Sequence, residues 1–231
     1  MLLKDAHINK NALKDIKENI QKHSPFPEKV NIIAVTKTLS YKSIQSAVFN
    51  SVYNIGENKI QETYNKIKNQ KINPKNKFHF IGHLQSNKAA KAVGLFDVIH
   101  SIDNIKLLNK INNQAHKQNK KQKIFLQINI SKSKTQSGFN EEEIYKAAEQ
   151  ATQKKNIILM GVMCIGANTE DKKEIESNFI KTKKIKEKIQ QKINPQSQDL
   201  SMGMSQDYVL ALKKGATYIR IGTNLFGEKY G

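Results

Sequence analysis

The chain has 231 residues, of which 39 are basic and 20 acidic, so its net charge is +19. Its single cysteine, Cys164, excludes a disulfide framework or a cysteine-built zinc site and is typical of a reducing compartment. The segment Met1–Asp5 becomes polar too soon for a signal peptide, and no apolar run is as long as a membrane span. We therefore expect a soluble, cytoplasmic protein with no membrane partner.

The positive charge is a weak indication of nucleic-acid binding. Arg220 is the only arginine, whereas proteins that read nucleic acids use arginine for bidentate contacts. The densest lysine runs, residues 110–123 and 181–192, keep isoleucine or leucine at helical spacing, which is typical of solvated helix faces. No RNA-binding aromatic motif or zinc-finger spacing appears. Nucleic-acid binding remains an alternative that rests on net charge alone.

Short β-rich runs alternate with longer helical stretches along the whole chain. A predicted helix over His7–His23 ends before the breaker Ser24–Pro27, and the apolar run Val30–Val35 is typical of a strand buried on both faces. Further strands are predicted over Val52–Ile55, Phe78–Ile81, Asp97–His100, Ile124–Ile130, Ile157–Ile165, Leu200–Met202 and Thr217–Ile221. The helices between them are predicted over Tyr41–Phe49, Asn58–Lys68, Ser86–Val93, Asn104–Lys117, Glu141–Thr152, Lys172–Gln191 and Gln206–Lys213.

This alternation predicts the α/β class with a parallel sheet. Eight units in 231 residues fit a closed (β/α)₈ TIM-type barrel with an extra N-terminal helix better than an open doubly wound sheet. An open sheet with fewer strands is the alternative. No linker, repeat or change in composition divides the chain, so residues 1–231 are predicted to form a single domain.

Lys37 directly follows the first strand. In this type of barrel the active site lies at the carboxyl ends of the strands. A lysine at such a place needs a partner or a depressed pKa, and a depressed pKa is what allows a lysine to form a Schiff base. The alternative is an ordinary lysine whose ammonium group reaches solvent from a strand end.

Two loops near the C-terminus have the composition of a phosphate site. Residues 200–205 run from strand seven into a helix through Ser201, Gly203 and Ser205, and strand eight is followed by Gly222 and Thr223. The loops after strands seven and eight are the usual phosphate-binding place in this fold, and backbone N–H groups at helix starts bind phosphate. Together the two loops predict a phosphorylated ligand.

Closure of the barrel would make strand one, ending at Lys37, a neighbour of strand eight, which contains Arg220. An amine, a phosphate site and an arginine would then meet at one mouth. That combination predicts a ligand with both an aldehyde and a phosphate, namely pyridoxal 5′-phosphate (PLP).

Six segments together resemble one family, the pyridoxal phosphate homeostasis proteins, also known as the YggS or PROSC family. These segments are Ala34–Thr38, Ile55–Glu62, Phe78–Lys88, Leu200–Asp207, Arg220–Thr223 and Phe226–Glu228. The resemblance covers essentially the full chain in the family's order. It implies a barrel like the N-terminal domain of alanine racemase, with PLP held as a Schiff base on Lys37.

The resemblance also implies the roles of the other cofactor-binding residues. Ser201 or Ser205 would hold the phosphate together with Gly222 and Thr223, and Arg220 would face the pyridine nitrogen. Asn58 and His83 would lie around the cofactor.

The family regulates vitamin B6 supply, so the expected function is a PLP carrier and buffer without catalytic turnover, whose partners are PLP and PLP-dependent apoenzymes. A monomer is expected. The alternative is a PLP-dependent amino-acid racemase with weak activity. An arginine at the pyridine nitrogen weakens the ring as an electron sink, and racemisation needs a second base that this chain, ending about ten residues after strand eight, is not expected to supply.

Three other features have structural interpretations. His79 and His83 are four residues apart, but they lie on a strand and its loop with no further ligands in sight, so no metal is expected. Cys164 lies in an apolar run and is interpreted as a core thiol. Glu57 and Glu62 flank a helix start and are interpreted as capping or surface residues.

Overall fold

The computed structural model describes residues 3–131, 133, 135–166 and 169–227. Eight parallel strands form a closed barrel in chain order, with the last strand paired to the first. The strands are β1 Asn31–Val35, β2 Asn54–Glu57, β3 Lys77–Phe80, β4 Val98–Ile102, β5 Gln122–Ile128, β6 Ile157–Cys164, β7 Asp199–Met204 and β8 Tyr218–Ile221. The predicted (β/α)₈ barrel is confirmed, and the open sheet is excluded.

Helices connect the strands and surround the barrel. They are α1 Lys10–His23, α2 Tyr41–Phe49, α3 Ile60–Ile67, α4 Ala89–Leu95, α5 Ile105–Lys117, α6 Glu141–Thr152, α7 Lys172–Lys192, α8 Tyr208–Lys213 and α9 Thr223–Phe226. Among the described residues, no helix combines the length and the apolar character that crossing a bilayer requires.

Some boundaries differ from the predictions for local reasons. Helix α1 is the predicted extra N-terminal helix, but it begins at Lys10 because the side chain of Asn9 accepts a hydrogen bond from the backbone N–H of Ala12. Strand β2 begins two residues later than predicted, since the N–H of Val52 donates to the carbonyl of Ala47 and so still belongs to the turn that ends α2.

The interior of the barrel is partly polar. Most buried apolar side chains lie between the sheet and the helices, whereas a small cluster of Val98, Phe125 and Met163 is separate from them. The ring of His100 stacks on Phe125 at 4.5 Å, and both rings contact Tyr218. These side chains come from β4, β5 and β8, so they meet in the lumen and form the floor beneath the loops at the carboxyl ends.

Candidate functional site

The loops that follow the strands gather at one end of the barrel because all eight strands are parallel. Strands β1 and β8 pair with Ile33 opposite Arg220 and Ala34 opposite Ile221. Lys37 lies three residues beyond Ala34, and Thr223 lies two residues beyond Ile221. The expectation that Lys37 and Arg220 belong to neighbouring strands is therefore confirmed.

Lys37 occupies a four-residue turn at the end of β1. The N–H of Leu39 donates to the carbonyl of Thr36 at 3.0 Å and closes the turn. Thr36 is fully buried, whereas Lys37 and Thr38 are exposed. Thr38 has a φ of 66°, a left-handed conformation that a β-branched residue adopts only under strain.

Charged residues of the next β–α unit hold both sides of this turn. The Glu57 carboxylate accepts hydrogen bonds from the Thr36 hydroxyl and from the Lys66 ammonium, both at 2.6 Å. The side chains of Glu57 and Lys66 have zero exposure. Burial raises the pKa of Glu57, while the charge and hydrogen bond of Lys66 and the hydrogen bond of Thr36 act against that rise.

The interpretation of Glu57 and Glu62 as capping or surface residues was wrong. Glu57 belongs to the buried ion pair, and Glu62 accepts a hydrogen bond from the backbone N–H of Thr38 at 2.7 Å. Helix α3 begins after Lys59, which makes no side-chain capping bond. The partner of Glu57, Lys66, is nine residues away in the last turn of α3, and this separation gave no signal in the sequence.

Ser205 joins the loops after β7 and β8. Its hydroxyl oxygen accepts hydrogen bonds from the N–H groups of Gly222 and Asn224 at 3.3 and 3.4 Å. The side chain of Asn224 donates back to the carbonyl of Ser205 at 2.9 Å. Thr223 is exposed between these residues. A hydroxyl, two backbone donors and an exposed threonine are thus collected where a phosphate was expected.

Ser201 has a different environment. It is completely buried in β7, where its hydroxyl oxygen accepts a hydrogen bond from Nη1 of Arg220 at 2.8 Å. Nη2 of Arg220 donates to the carbonyl of Cys164 at 2.9 Å. Two bonds from one guanidinium therefore fix Arg220 in the lumen. Cys164 is buried, in agreement with its interpretation as a core thiol, and burial raises its pKa to about 11.

A chain of hydrogen bonds continues from Ser201 across the barrel. Nδ1 of His100 lies 2.9 Å from the Ser201 hydroxyl, and Nε2 of His100 lies 2.9 Å from Nδ1 of His79. Nε2 of His79 lies 3.0 Å from Oδ1 of Asn54. Burial lowers the pKa of His79 to about 3 and the pKa of His100 well below 6.5, so both rings are neutral at pH 7.

Because both histidine rings are neutral, the hydrogen bonds between Arg220 and Asn54 all have the same direction. With Oδ1 of Asn54 as the acceptor, His79 donates from Nε2 and accepts at Nδ1. His100 then donates from Nε2 and accepts at Nδ1 from the Ser201 hydroxyl. Ser201 in turn accepts from Arg220. Every bond therefore runs from Arg220 towards Asn54, and no group in the chain competes with the guanidinium as a donor.

Asn58 and His83 follow β2 and β3 and lie at the same end of the barrel. A Cβ on Gly82 would come within 2.4 Å of the carbonyl oxygen of Asn58, so only glycine allows the two loops to pack this closely. Oδ1 of Asn58 is buried and accepts no hydrogen bond from the part of the chain that the structure describes. Such an atom fits a site in which a ligand supplies the donor.

His83 is oriented by the loops after β4 and β5. Its Nδ1 lies 3.2 Å from Oδ2 of Asp103 and 3.3 Å from the Ser137 hydroxyl. Because both partners share one nitrogen, this group does not have the geometry of a Ser–His–Asp triad, in which serine and aspartate contact opposite ring nitrogens. The described residues contain no group of three side chains able to hold a metal ion.

Most of the residues named for the cofactor follow strands at the carboxyl end of the barrel: Lys37, Asn58, His83, Ser205, Gly222 and Thr223. Ser201 and Arg220 lie within β7 and β8 and contact each other in the lumen below that end. Sequence reasoning missed His100, Glu57, Lys66 and Asp103 as parts of the site. The one sequence signal in this group is the i, i+4 spacing of Glu62 and Lys66 on a predicted helix. In the structure these two side chains lie 3.6 Å apart. Glu228, the last residue of the quoted motifs, lies outside the described residues.

A cavity of about 800 Å³ lies elsewhere, along α1. It is wide open to solvent and is lined by Lys10, Leu13, Lys14, Lys17, Glu18, Gln21, Lys22 and Asn50. None of these residues belongs to the mouth of the barrel.

Comparisons with known proteins agree with this fold. A family model described as the N-terminal domain of alanine racemase matches residues 8–229. The pyridoxal phosphate homeostasis protein of Vibrio alginolyticus is 34% identical over 217 residues, which are 93% of this chain and 93% of that protein. The protein of the same name from Helicobacter pylori strain 26695 is 38% identical over 201 residues, covering 86% of this chain and 88% of the relative.

Solved structures give the same result. PipY of Synechococcus elongatus PCC7942 is 32% identical, and the match covers 92% of this chain and 100% of PipY. The TM-score is 0.83 for PipY without PLP and 0.80 for PipY with PLP bound. Alanine racemase of Clostridium difficile has a TM-score of 0.74 at 16% identity, and the match covers 60% of that chain. This last likeness concerns the fold alone.

Proposed function

The chain belongs to the pyridoxal phosphate homeostasis protein family, and we propose that it binds PLP at the carboxyl mouth of its barrel. There it acts as a carrier and buffer of the cofactor in the cytoplasm. The relatives that support this proposal match the chain over nearly its full length, and one of them, PipY, has a structure with PLP bound. The observation that supports the proposal is that β7, β8 and β1 are adjacent strands, which carry Arg220 and are followed by the Ser205–Gly222 contact and by Lys37.

The residues of the mouth fit the chemical groups of PLP. When bound, PLP supplies an aldehyde that condenses with an amine and a ring that withdraws electrons. The amine of Lys37 suits the aldehyde. The hydroxyls of Ser205 and Thr223 and the N–H of Gly222 suit the phosphate, and the orphaned Oδ1 of Asn58 suits a hydroxyl donor. Between Ser205 and Ser201 we select Ser205 for the phosphate, because Ser201 is committed to Arg220.

Arg220 favours a carrier over an enzyme. A guanidinium remains protonated at pH 7 and can only donate hydrogen bonds, so at the pyridine nitrogen it opposes protonation of the ring. An unprotonated ring stabilises a carbanion poorly, and racemisation also requires a second base on the opposite side of the substrate. The hydrogen bonds to Ser201 and to the Cys164 carbonyl hold the guanidinium of Arg220 in place, so it cannot easily move away from the pyridine nitrogen.

The experiment that tests this function measures delivery. We expect the purified protein loaded with PLP to activate an apoenzyme, and the Lys37→Ala variant, loaded in the same way, to deliver less. Lys59→Ala, which removes another exposed lysine at the same end of the barrel, is the control. Sustained racemisation or amine release from amino acids, at rates typical of enzymes, would contradict the carrier function and support the racemase alternative.

A further inference from the structure

We propose that Glu57, Glu62 and Lys66, here called the charge cluster, position Lys37 for its reaction with the cofactor aldehyde. None of the three is proposed to touch PLP. They act through the two residues that flank Lys37, and the inference rests on the proposed function because it assigns Lys37 the reacting amine.

The charge cluster holds the turn from both sides of Lys37. On the N-terminal side, the Lys66 ammonium donates to the carbonyl of Thr36 at 2.9 Å, and Glu57 accepts from the Thr36 hydroxyl. On the C-terminal side, Glu62 accepts from the N–H of Thr38. Lys66 connects the two sides, since its ammonium lies 2.6 Å from Glu57 and 3.6 Å from Glu62.

The turn needs such support because Thr38 is strained. The third residue of a four-residue turn takes a positive φ readily only when it is glycine or asparagine. Threonine at a φ of 66° persists when its surroundings enforce that conformation. The bond from the N–H of Thr38 to Glu62 is the charge-assisted contact that enforces it here.

The cluster is poorly explained by stability alone. A completely buried ion pair loses the hydration of both ions, and apolar side chains of similar volume often stabilise a protein as well or better. One side of the carboxylate also lacks a hydrogen-bond donor, since Oε2 of Glu57 is buried without a hydrogen bond among the described residues. Apolar side chains cannot bind the carbonyl of Thr36 or the N–H of Thr38, and these are the groups that fix the turn.

The test separates the amine from the rest of the site by using two ligands. PLP and pyridoxine 5′-phosphate share the ring and the phosphate, but only PLP has the aldehyde that reacts with Lys37. In Glu62→Ala we expect the Kd for PLP to rise about tenfold, because a charge-assisted bond to the turn is lost. The Kd for pyridoxine 5′-phosphate should stay within about twofold, since the phosphate loops are unchanged.

Two controls accompany this variant. In Glu62→Gln, the amide oxygen still accepts from the N–H of Thr38, so PLP affinity should recover to within about threefold of the original protein. Glu18→Ala removes an exposed glutamate that is also spaced i, i+4 from a lysine, Lys14, and should change neither affinity. An equal loss of affinity for both ligands in Glu62→Ala, or no recovery of PLP affinity in Glu62→Gln, would overturn the inference.

A second variant tests the buried pair without leaving one charge unpaired. Glu57→Met combined with Lys66→Met removes both charges, and we expect a folded protein with weakened PLP binding and unchanged pyridoxine 5′-phosphate binding. Full PLP affinity in this variant would show that the pair does not position Lys37. If the unmodified protein binds PLP no more tightly than pyridoxine 5′-phosphate, the proposed function itself fails, and this inference fails with it.

Discussion

Arg220 is the residue in which the barrel interior and the candidate site meet. Its guanidinium donates to Ser201 and to the carbonyl of Cys164, and the chain of neutral histidines continues from Ser201. In a chain that otherwise uses lysine for positive charge, this position uses a planar donor with several N–H groups. Two of them donate to partners inside the barrel.

We expect Arg220→Lys to change the bound cofactor as well as its affinity. Lysine has a single ammonium on a flexible stem, and it cannot contact Ser201, the Cys164 carbonyl and a pyridine nitrogen in the same arrangement. The Kd for PLP should rise about tenfold, and the absorbance maximum of the bound cofactor should move. Absorbance titration measures both quantities. Lys59→Arg, a lysine–arginine exchange at an exposed position, is the control. Indistinguishable absorbance titrations for the two variants would show that Arg220 does not contact the cofactor.

Ser205 and Ser201 can be separated by a phosphate ligand. Ser205→Ala should weaken the binding of pyridoxine 5′-phosphate about tenfold, because the hydroxyl beside the Gly222 N–H is lost. Ser201→Ala should leave that affinity within about twofold and instead alter the spectrum of bound PLP through Arg220. Calorimetry and absorbance give the two readouts. The reverse pattern would assign the phosphate to Ser201.

For single residues, the sequence indicates a role in the site when the position of the residue on a strand and its chemistry both point to that role. Lys37 and Arg220 could be predicted because the closed topology makes their strands neighbours. The roles of Glu57 and Lys66 could not, since both are charged residues, and their burial depends on how α3 packs behind β1 and β2. Local patterns contain no information about such a contact.

Among the elements, α2 and α6 have the predicted bounds, and a capping side chain marks where each of them begins. Helix α6 begins at a capping box in which Asn140 accepts from the N–H groups of Glu142 and Glu143, and Glu143 accepts from the N–H of Asn140. Three glutamates occupy its first turn, where they interact favourably with the helix dipole. Helix α9 was not predicted, because its four residues are too few to show a periodicity.

We expect Asn140→Ala to lower the free energy of unfolding by about 1 kcal/mol, since the cap satisfies two backbone donors of α6. Urea denaturation followed by circular dichroism measures this change. Asn113→Ala, at an exposed position within α5, is the matched control and should be neutral or slightly stabilising, because alanine favours helix interiors. An equal loss in both variants would contradict the capping argument.

For the molecule as a whole, barrel closure has two consequences. It brings the first and last strands together, which creates the mouth, and it encloses the polar chain from Arg220 to Asn54. The eight-unit alternation predicted the first consequence. The second was not predictable, because His79, His100 and Ser201 gain their common partners only when β3, β4 and β7 face one lumen.

The enclosed histidines make stability depend on pH. His79 has a pKa of about 3 when folded and 6.5 as its ordinary value, so it stabilises the fold fully above pH 6.5 and loses that contribution as the pH falls towards 3. Between pH 6.5 and 5 we expect it to account for a fall of about 2 kcal/mol in the free energy of unfolding. His100 should add to the fall with the same sign.

Urea denaturation at several pH values tests this expectation. In His79→Gln, the fall between pH 6.5 and 5 should be smaller by about one histidine's contribution. His116→Gln changes an exposed histidine and should follow the original protein. A pH dependence that His79→Gln leaves unchanged would mean that His79 takes up a proton inside the folded barrel.

The central claim is that Lys37 is the residue that holds PLP. Borohydride reduction of the loaded protein, followed by mass spectrometry of its peptides, tests it most directly. We predict a Schiff-base absorbance that disappears on reduction and a cofactor adduct on the peptide that contains Lys37, with both absent in Lys37→Ala. The same absorbance and the same adduct mass in Lys37→Ala would contradict the account.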